Sequence, residues 1–278
     1  MSRKNIFEIA RQTFDLSLEI KRIRRLFEDD ETIYESSHYY TLVGYVRQKG
    51  FSKWPNRGHC IDVKDYLSMF DMENLWSAAV NNPQDMLILI EIVYNFWHIA
   101  LHDGAGYYTG THQSRNFMLL KTIMDDLLAH FNYTALYFEV SRQLIVIEDK
   151  PGVTAVAEIV EPELSYQILR YNHYLLKGNL EEKRRILVAI GADLEPQRAE
   201  IAKADKSLDD IFFLLNNLHL RHNNTAPGDK NFRQVVADMD DATLEAWYDD
   251  LYQIMLQAYL KLDQVDISAR VMALKQSL

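Results

Sequence analysis

"YTALYFEVSRQLIVIED", Tyr133 to Asp149, is the stretch on which the fold turns. Elsewhere the apolar residues recur every three or four positions, as on the buried side of a helix. Here the period changes. YTALYFEV and LIVIED are rich in β-branched and aromatic residues and alternate in character, and Ser141 to Gln143 separate them. That pattern predicts one β-hairpin, from about Tyr133 to Glu148. The chain is therefore expected to be mainly α, a multi-helix bundle with one small β-hairpin. DKPG, directly after the hairpin, marks a boundary. Residues 1–150 read as an N-terminal helical region ending in the hairpin, and 151–278 as a C-terminal helical bundle. The two pack either as separate halves or as one unit.

Upstream of the hairpin, a first helix is expected over Asn5–Phe27. Ile6, Ile9, Leu16, Ile20, Ile23 and Phe27 share one line on it, broken by Thr13. This near-heptad stripe packs inside its own domain or forms the seam of a homodimer. A second helix is expected over Glu31–Lys49, closed by Gly50. Asp62 caps a third that runs to Val80. Pro83 opens a fourth, reaching His102. DGAGYYTG reads as a loop, and a further helix spans His112–Phe131. Downstream, Pro162 opens a helix that ends before Gly178, and Asn179 caps the next, which Pro196 must kink or split. Ser207 caps another. The last helix runs from about Thr243 to Leu262, followed by a short tail.

Composition narrows the class. Ten Gly and six Pro in 278 residues favour long helices over an all-β fold. The net charge of −10 argues against a general nucleic-acid binder and against an anionic membrane surface. One cysteine, Cys60, allows no intramolecular disulfide and no cysteine zinc cluster, as expected of a cytoplasmic protein. No apolar run approaches the ~20 residues of a membrane span, and the N-terminus lacks a signal-like apolar region. Phosphate loops, GxGxxG and GxSxG are absent, so no cofactor is expected.

Two polar constellations remain. On the helix expected over residues 83–102, Glu91, Asn95, His98 and His102 fall within about 60° of one another. Two His four residues apart, with a carboxylate, can hold a metal ion, so Glu91, His98 and His102 are the metal candidates, with Asp103 and His112 as outer partners, but a complete ligand set is not visible and no tightly bound metal is expected. The same face also suits the solvated side of a buried helix, or an internal hydrogen-bonded network with tyrosines.

The second is LLNNLHLRHNNTAPGDKNF, Leu214 to Phe232. With Ile211 at zero and about 100° per residue, Leu215, Leu218 and His222 lie near 40°, −20° and 20°. His222 then continues a buried stripe at a helix end, Arg221 lies to one side, and Asn223 and Asn224 can end the helix.

Segments 161–190 (EPELSYQILRYNHYLLKGNLEEKRRILVAI), 212–224 (FFLLNNLHLRHNN) and 244–260 (LEAWYDDLYQIMLQAYL) carry a resemblance. They resemble the C-terminal part of bacterial abortive-infection proteins. Those are similar in turn to HEPN domains, small helical bundles that often act as metal-independent ribonucleases in phage defence. The resemblance implies a HEPN-like C-terminal bundle, RNA as substrate, and Arg221, His222 and Asn223 as the catalytic residues. Metal-free RNA cleavage needs a base for the 2′-hydroxyl and a cationic grip on phosphate, which His and Arg supply. His219 and His173 are the other imidazoles considered. The family pattern is an Arg, a polar residue, then a His four to six positions on. Arg221 and His222 fit its start, whereas Ala226, Pro227 and Gly228 stand where the second His falls. A degenerate bundle is thereby implied. The alternative reading is a non-enzymatic module that binds a partner protein or RNA.

Overall fold

A computed structural model describes residues 14–35, 37–102, 111–139, 141–221, 227–230 and 232–278. The chain forms two compact units, one ending at Asp149 and the other beginning at Lys150. Both are mainly helical. Among the described residues the β structure is the expected two-stranded hairpin and one small three-stranded sheet.

In the first unit, α1 (Leu16–Arg24) is capped by the Asp15 carboxylate, which accepts the Leu18 N–H, and it runs on as a π turn over Arg25–Asp29. Ile20, Ile23, Leu26 and Phe27 are buried, so this part of the stripe faces the core of its own unit. Ile6, Ile9 and Thr13 lie outside the described residues.

The expected helix over Glu31–Lys49 is corrected in its first half. Ile33–Glu35 (β1) pairs antiparallel with His38–Tyr40 (β2), and Thr111–Gln113 (β3) pairs with the other edge of β1. Ile33, Tyr34, Tyr39 and Tyr40 suit a pleated surface better than a helix. Tyr34 and Tyr39 are cross-strand partners with ring centroids 4.8 Å apart. Ser37, at φ 69°, turns the chain between the strands. The helix survives as α2 (Leu42–Tyr45), with Thr41 accepting the Gly44 N–H, and as a π turn over Val46–Gly50. Gly50 has φ −104° and is not a left-handed closing residue.

Asp62 caps α3 (Val63–Met69) as expected, by accepting the Asp65 N–H. The helix does not reach Val80. Asp71 takes φ 46°, and α4 (Met72–Ala78) starts afresh. The centre of the unit is α5 (Pro83–Ala100), opened by Asn82 and Pro83, with Met86, Leu89, Ile90, Val93, Phe96 and Ala100 fully buried. The DGAGYYTG loop lies outside the described residues. Because residues 111–113 are taken up by β3, α6 (Arg115–His130) starts at its Ser114 cap, later than the expected His112. The hairpin follows as β4 (Tyr133–Phe138) and β5 (Gln143–Glu148), in register from Tyr133↔Glu148 to Phe138↔Gln143. Leu144, Ile145, Val146 and Ile147 are all buried, so β5 is covered on both faces.

The second unit contains α7 (Pro151–Ala157), α8 (Pro162–Arg170), α9 (Leu180–Leu194), α10 (Arg198–Ala204), α11 (Asp210–Asn217), α12 (Gln234–Ala237) and α13 (Asp241–Ser277). Three expectations are corrected here. α8 stops at Arg170 and a 3-10 turn at Tyr174–Leu176 replaces its last part. The cap near Ser207 is Asp205, whose carboxylate accepts from both the N–H and the Oγ of Ser207. The last helix has no tail of a different kind: α13 is continuous for 37 residues. It contains neither Gly nor Pro. Pro196 splits α9 from α10 through a 3-10 turn at Glu195–Gln197, because its ring cannot fit a helix interior. No helix of the described residues is long and apolar enough to cross a membrane.

Candidate functional site

The polar face of α5 meets the free edge of β5. Asn95 donates through Nδ2 to the Leu144 carbonyl (2.8 Å) and accepts the Leu144 N–H at Oδ1 (3.0 Å). One turn earlier, Glu91 accepts the Val146 N–H at Oε2 (2.7 Å). The spacing explains the residue types. Four helix residues advance about 6 Å, and two strand residues about 6.7 Å, so an i, i+4 pair can serve alternate positions of a strand. A carboxamide offers the donor and acceptor that a neighbouring strand would. β5 is thus closed on one side by β4 and on the other by side chains, which satisfies an edge that would otherwise be left bare.

Further along the same face, His98 stacks between His102 and Tyr137, with centroids at 4.0 and 3.6 Å. Tyr137 is the cross-strand partner of Leu144, so the stack continues the seam. Burial, and then the charge of His102, push the His98 imidazole down to about 4. The cavity beside the stack, bordered by Lys53, Trp54 and Arg142, measures about 20 Å³, water-sized at most. Glu91 is turned to the strand and the two imidazoles face each other, so the three metal candidates are not gathered around a common point. No group of three His, Cys, Asp or Glu able to hold an ion occurs among the described residues. His112 lies on β3, and Asp103 is outside the described residues.

The knot after α11 is built differently. The helix stops at Asn217, and Leu218–Arg221 follows as bent chain with His219 at φ 60°. His222, Asn223 and Asn224 lie outside the described residues. Leu218 and Leu220 are buried, and the Leu220 carbonyl accepts from Arg184 Nε (2.9 Å). Arg221 is not simply exposed to one side. Its guanidinium pairs with Glu195 (2.5 Å) and donates to the Gly191 carbonyl (3.3 Å), leaving the side chain 24% exposed. Gly191 is itself close-packed: a Cβ there would lie 2.6 Å from Leu215 Cδ1. The chain thus folds Arg221 back over the end of α9, where a cation suits the helix dipole. Burial, then the Arg184 charge, lower the pKa of His219. His173 accepts the Leu175 N–H at Nδ1 and caps the 3-10 turn at Tyr174–Leu176.

Two features escaped the sequence reading. Lys183, 6% exposed, reaches Asp249 (2.6 Å) and Glu245 (2.7 Å) and lies 5.2 Å from the centre of the Tyr171 ring. Tyr171 donates to Asp249, and burial followed by that carboxylate raises its pKa far above the usual value. These bonds join the C-cap of α8 to α9 and α13. Lys183 stands at the head of the buried line Ile186, Leu187, Ile190, Leu194, which was the available signal. The second feature is an apolar groove of about 560 Å³ between α11, α12 and α13, bordered by Phe213, Leu218, Val235, Met239 and Trp247. Phe213 and Val235 are 63% and 74% exposed. The Arg233 guanidinium at its rim donates to Asn217 Oδ1 and to the Lys230 and Phe232 carbonyls.

No protein-family model, curated protein or solved structure matches the chain.

Proposed function

We propose that the second unit is a non-enzymatic interaction module built on a degenerate HEPN-like bundle, and that its working face is the groove bordered by Phe213, Val235 and Trp247. One observation carries this reading. Arg221, the cation that metal-free RNA cleavage would place on a phosphate, is held by the Glu195 carboxylate and the Gly191 carbonyl. A guanidinium neutralised in this way offers little to a developing phosphorane. The groove lining is mostly apolar, and its one guanidinium, Arg233, is engaged by Asn217 Oδ1 and two backbone carbonyls, whereas RNA would ask for a run of cations along its path. The ligand class it fits is an apolar stretch of a partner protein. The bacterial, cytoplasmic, abortive-infection setting rests on the resemblance of residues 161–190, 212–224 and 244–260 and on the single cysteine.

The test is RNA cleavage by the full chain in chelator-containing buffer, run beside thermal melts for wild type and Arg221→Ala. The expected result is no cleavage above buffer for either protein, with a lower melting temperature for the variant. Cleavage by wild type that disappears in Arg221→Ala, at unchanged melting temperature, would overturn the reading and make the knot an active site.

A further inference from the structure

From Gln264 to Leu278 every residue of the α13 region is exposed. That is unusual for this composition. Val265, Ile267, Val271, Met272 and Leu274 are 53, 43, 43, 64 and 59% exposed. Earlier in the helix, Tyr248, Leu251, Tyr252, Met255 and Tyr259 are buried against their own unit. The apolar line of the later part is not a continuation of that face. With Ile267 at zero, the buried residues centre near −100°, whereas Leu260, Ile267, Val271 and Leu274 lie within about 40° of zero. At −100° on the later part stands Asp266. This stretch is therefore not patterned to pack on its own unit.

The line has its own period. Leu260, Gln264, Ile267, Val271, Leu274 and Leu278 alternate at spacings of four and three. That is the a/d repeat of a coiled coil, with one polar a position at Gln264. The charges beside it select the direction. Asp263 and Arg270 flank the line on one side, and Lys261 and Lys275 on the other. A parallel pair would oppose Arg270 to the partner's Lys275. An antiparallel pair centred between Gln264 and Ile267 sets each Asp263 against the partner's Arg270, twice across the dyad. The same arrangement stacks Gln264 on the partner's Ile267 and Leu260 on the partner's Val271.

We propose that residues 260–271 pair antiparallel with the same residues of a second copy of this chain, through the Leu260–Ile267–Val271 line, with Leu274 beyond the symmetric overlap. The interface is isologous and closes as a two-fold dimer. The opposite line, Val265, Ala269 and Met272, is shorter and weaker, and it stays outside the seam. The proposal stands independently of what the groove binds.

The experiment is sedimentation equilibrium of the full chain at micromolar concentration, with circular dichroism to confirm that each variant is folded. Wild type is expected at twice the mass of one chain. Val271→Asp should sediment as a monomer, and Val265→Asp should remain a dimer. Asp263→Arg or Arg270→Asp alone converts two attractions into repulsions and should weaken association about tenfold. The double exchange, Asp263→Arg with Arg270→Asp, should restore it. A monomeric wild type overturns the proposal. So does a dimer that survives Val271→Asp, one lost in Val265→Asp, or a double exchange as weak as either single, which would indicate another surface; an Arg270→Asp that tightens association overturns it as well, because it marks a parallel pair.

Discussion

The seam between α5 and β5 and the knot after α11 are both polar clusters on otherwise apolar helices, yet the two are held in different ways. In the seam, side-chain polar groups replace a missing strand. Asn95 and Glu91 take up three backbone groups of β5, and Asn95 is 6% exposed. In the knot a backbone carbonyl and a half-exposed carboxylate hold one cation near the surface. Water can replace the bonds of the knot, whereas the two bonds between Asn95 and Leu144 are buried. Polar residues on a helix face therefore do not announce a reactive site. Their consequence depends on whether water is an alternative partner.

That difference is broken or sharpened first at Asn95. Asn95→Ala strands the N–H and C=O of Leu144 in a buried setting, at about 1–3 kcal/mol for each unsatisfied group. The expected loss is about 3 kcal/mol in urea unfolding. A loss below about 1 kcal/mol would show that β5 finds other partners or that water enters, and the distinction between the two regions would collapse.

The next effect lies under the knot. Gly191→Ala adds a Cβ 2.6 Å from Leu215 Cδ1, where α9 and α11 approach closely. Leu215 must move, at about 1–3 kcal/mol for an overpacked core, offset by about 1 kcal/mol of helix propensity gained by Ala, so a net loss of about 1–2 kcal/mol is expected. Pairing the change with Leu215→Ala should relieve most of the clash, so the double variant should lose less than the sum of the singles. Strict additivity would place the cost elsewhere.

How much of this was legible follows from the range of the interactions. The hairpin over Tyr133–Glu148 and the helices opened by Asn82-Pro83 and Asn179 were readable because period, cap and proline act within a few residues. The β1–β2 ribbon was hidden inside an expected helix, since Ile33–Tyr40 is too short for its period to outvote the pattern around it. The polar line of Glu91, Asn95, His98 and His102 was visible as a line. Its partner was not, because Leu144 and Val146 lie about fifty residues away, and no local rule places an unpaired strand edge beside that helix. Arg221 was traced along a helix that ends four residues before it. Its partner Glu195 sits beyond the Pro196 break, a tertiary neighbour that helix geometry cannot supply.

A third measurement reads the seam by pH, and because His219 in the knot is depressed in the same direction, the comparison of variants isolates His98. His98 titrates near 4 when folded, against 6.5 in an unfolded chain. Its folded pKa is depressed, so the unfolded state takes up the proton first as pH falls. The stability contributed by neutral His98 is complete above about 6.5 and is lost between 6.5 and 4. The ring is only half-buried, so solvent screening reduces the loss to roughly 1–2 kcal/mol. His98→Phe keeps a ring against Tyr137 and should flatten this part of the profile. If wild type and His98→Phe lose stability in parallel over that window, the seam is not what titrates.

The smallest effect belongs to Arg221 and Glu195, and it is measured as a coupling. Arg221 is one-quarter exposed and Glu195 nearly half. A pair open to solvent is worth about 0.2–1 kcal/mol, and the bond to the Gly191 carbonyl adds a similar amount. Arg221→Ala should then cost about 1 kcal/mol, and Glu195→Ala less, because Arg221 keeps its carbonyl partner. The double variant should reveal a coupling of about 0.5 kcal/mol that fades in high salt, as a water-exposed ion pair requires. The same cycle on Glu91 and Asn95 should be indifferent to salt, because their bonds run to backbone amides. Salt therefore reads out the contrast directly. A salt-insensitive Arg221–Glu195 coupling as large as the loss at Asn95 would mean that the knot is as closed to water as the seam.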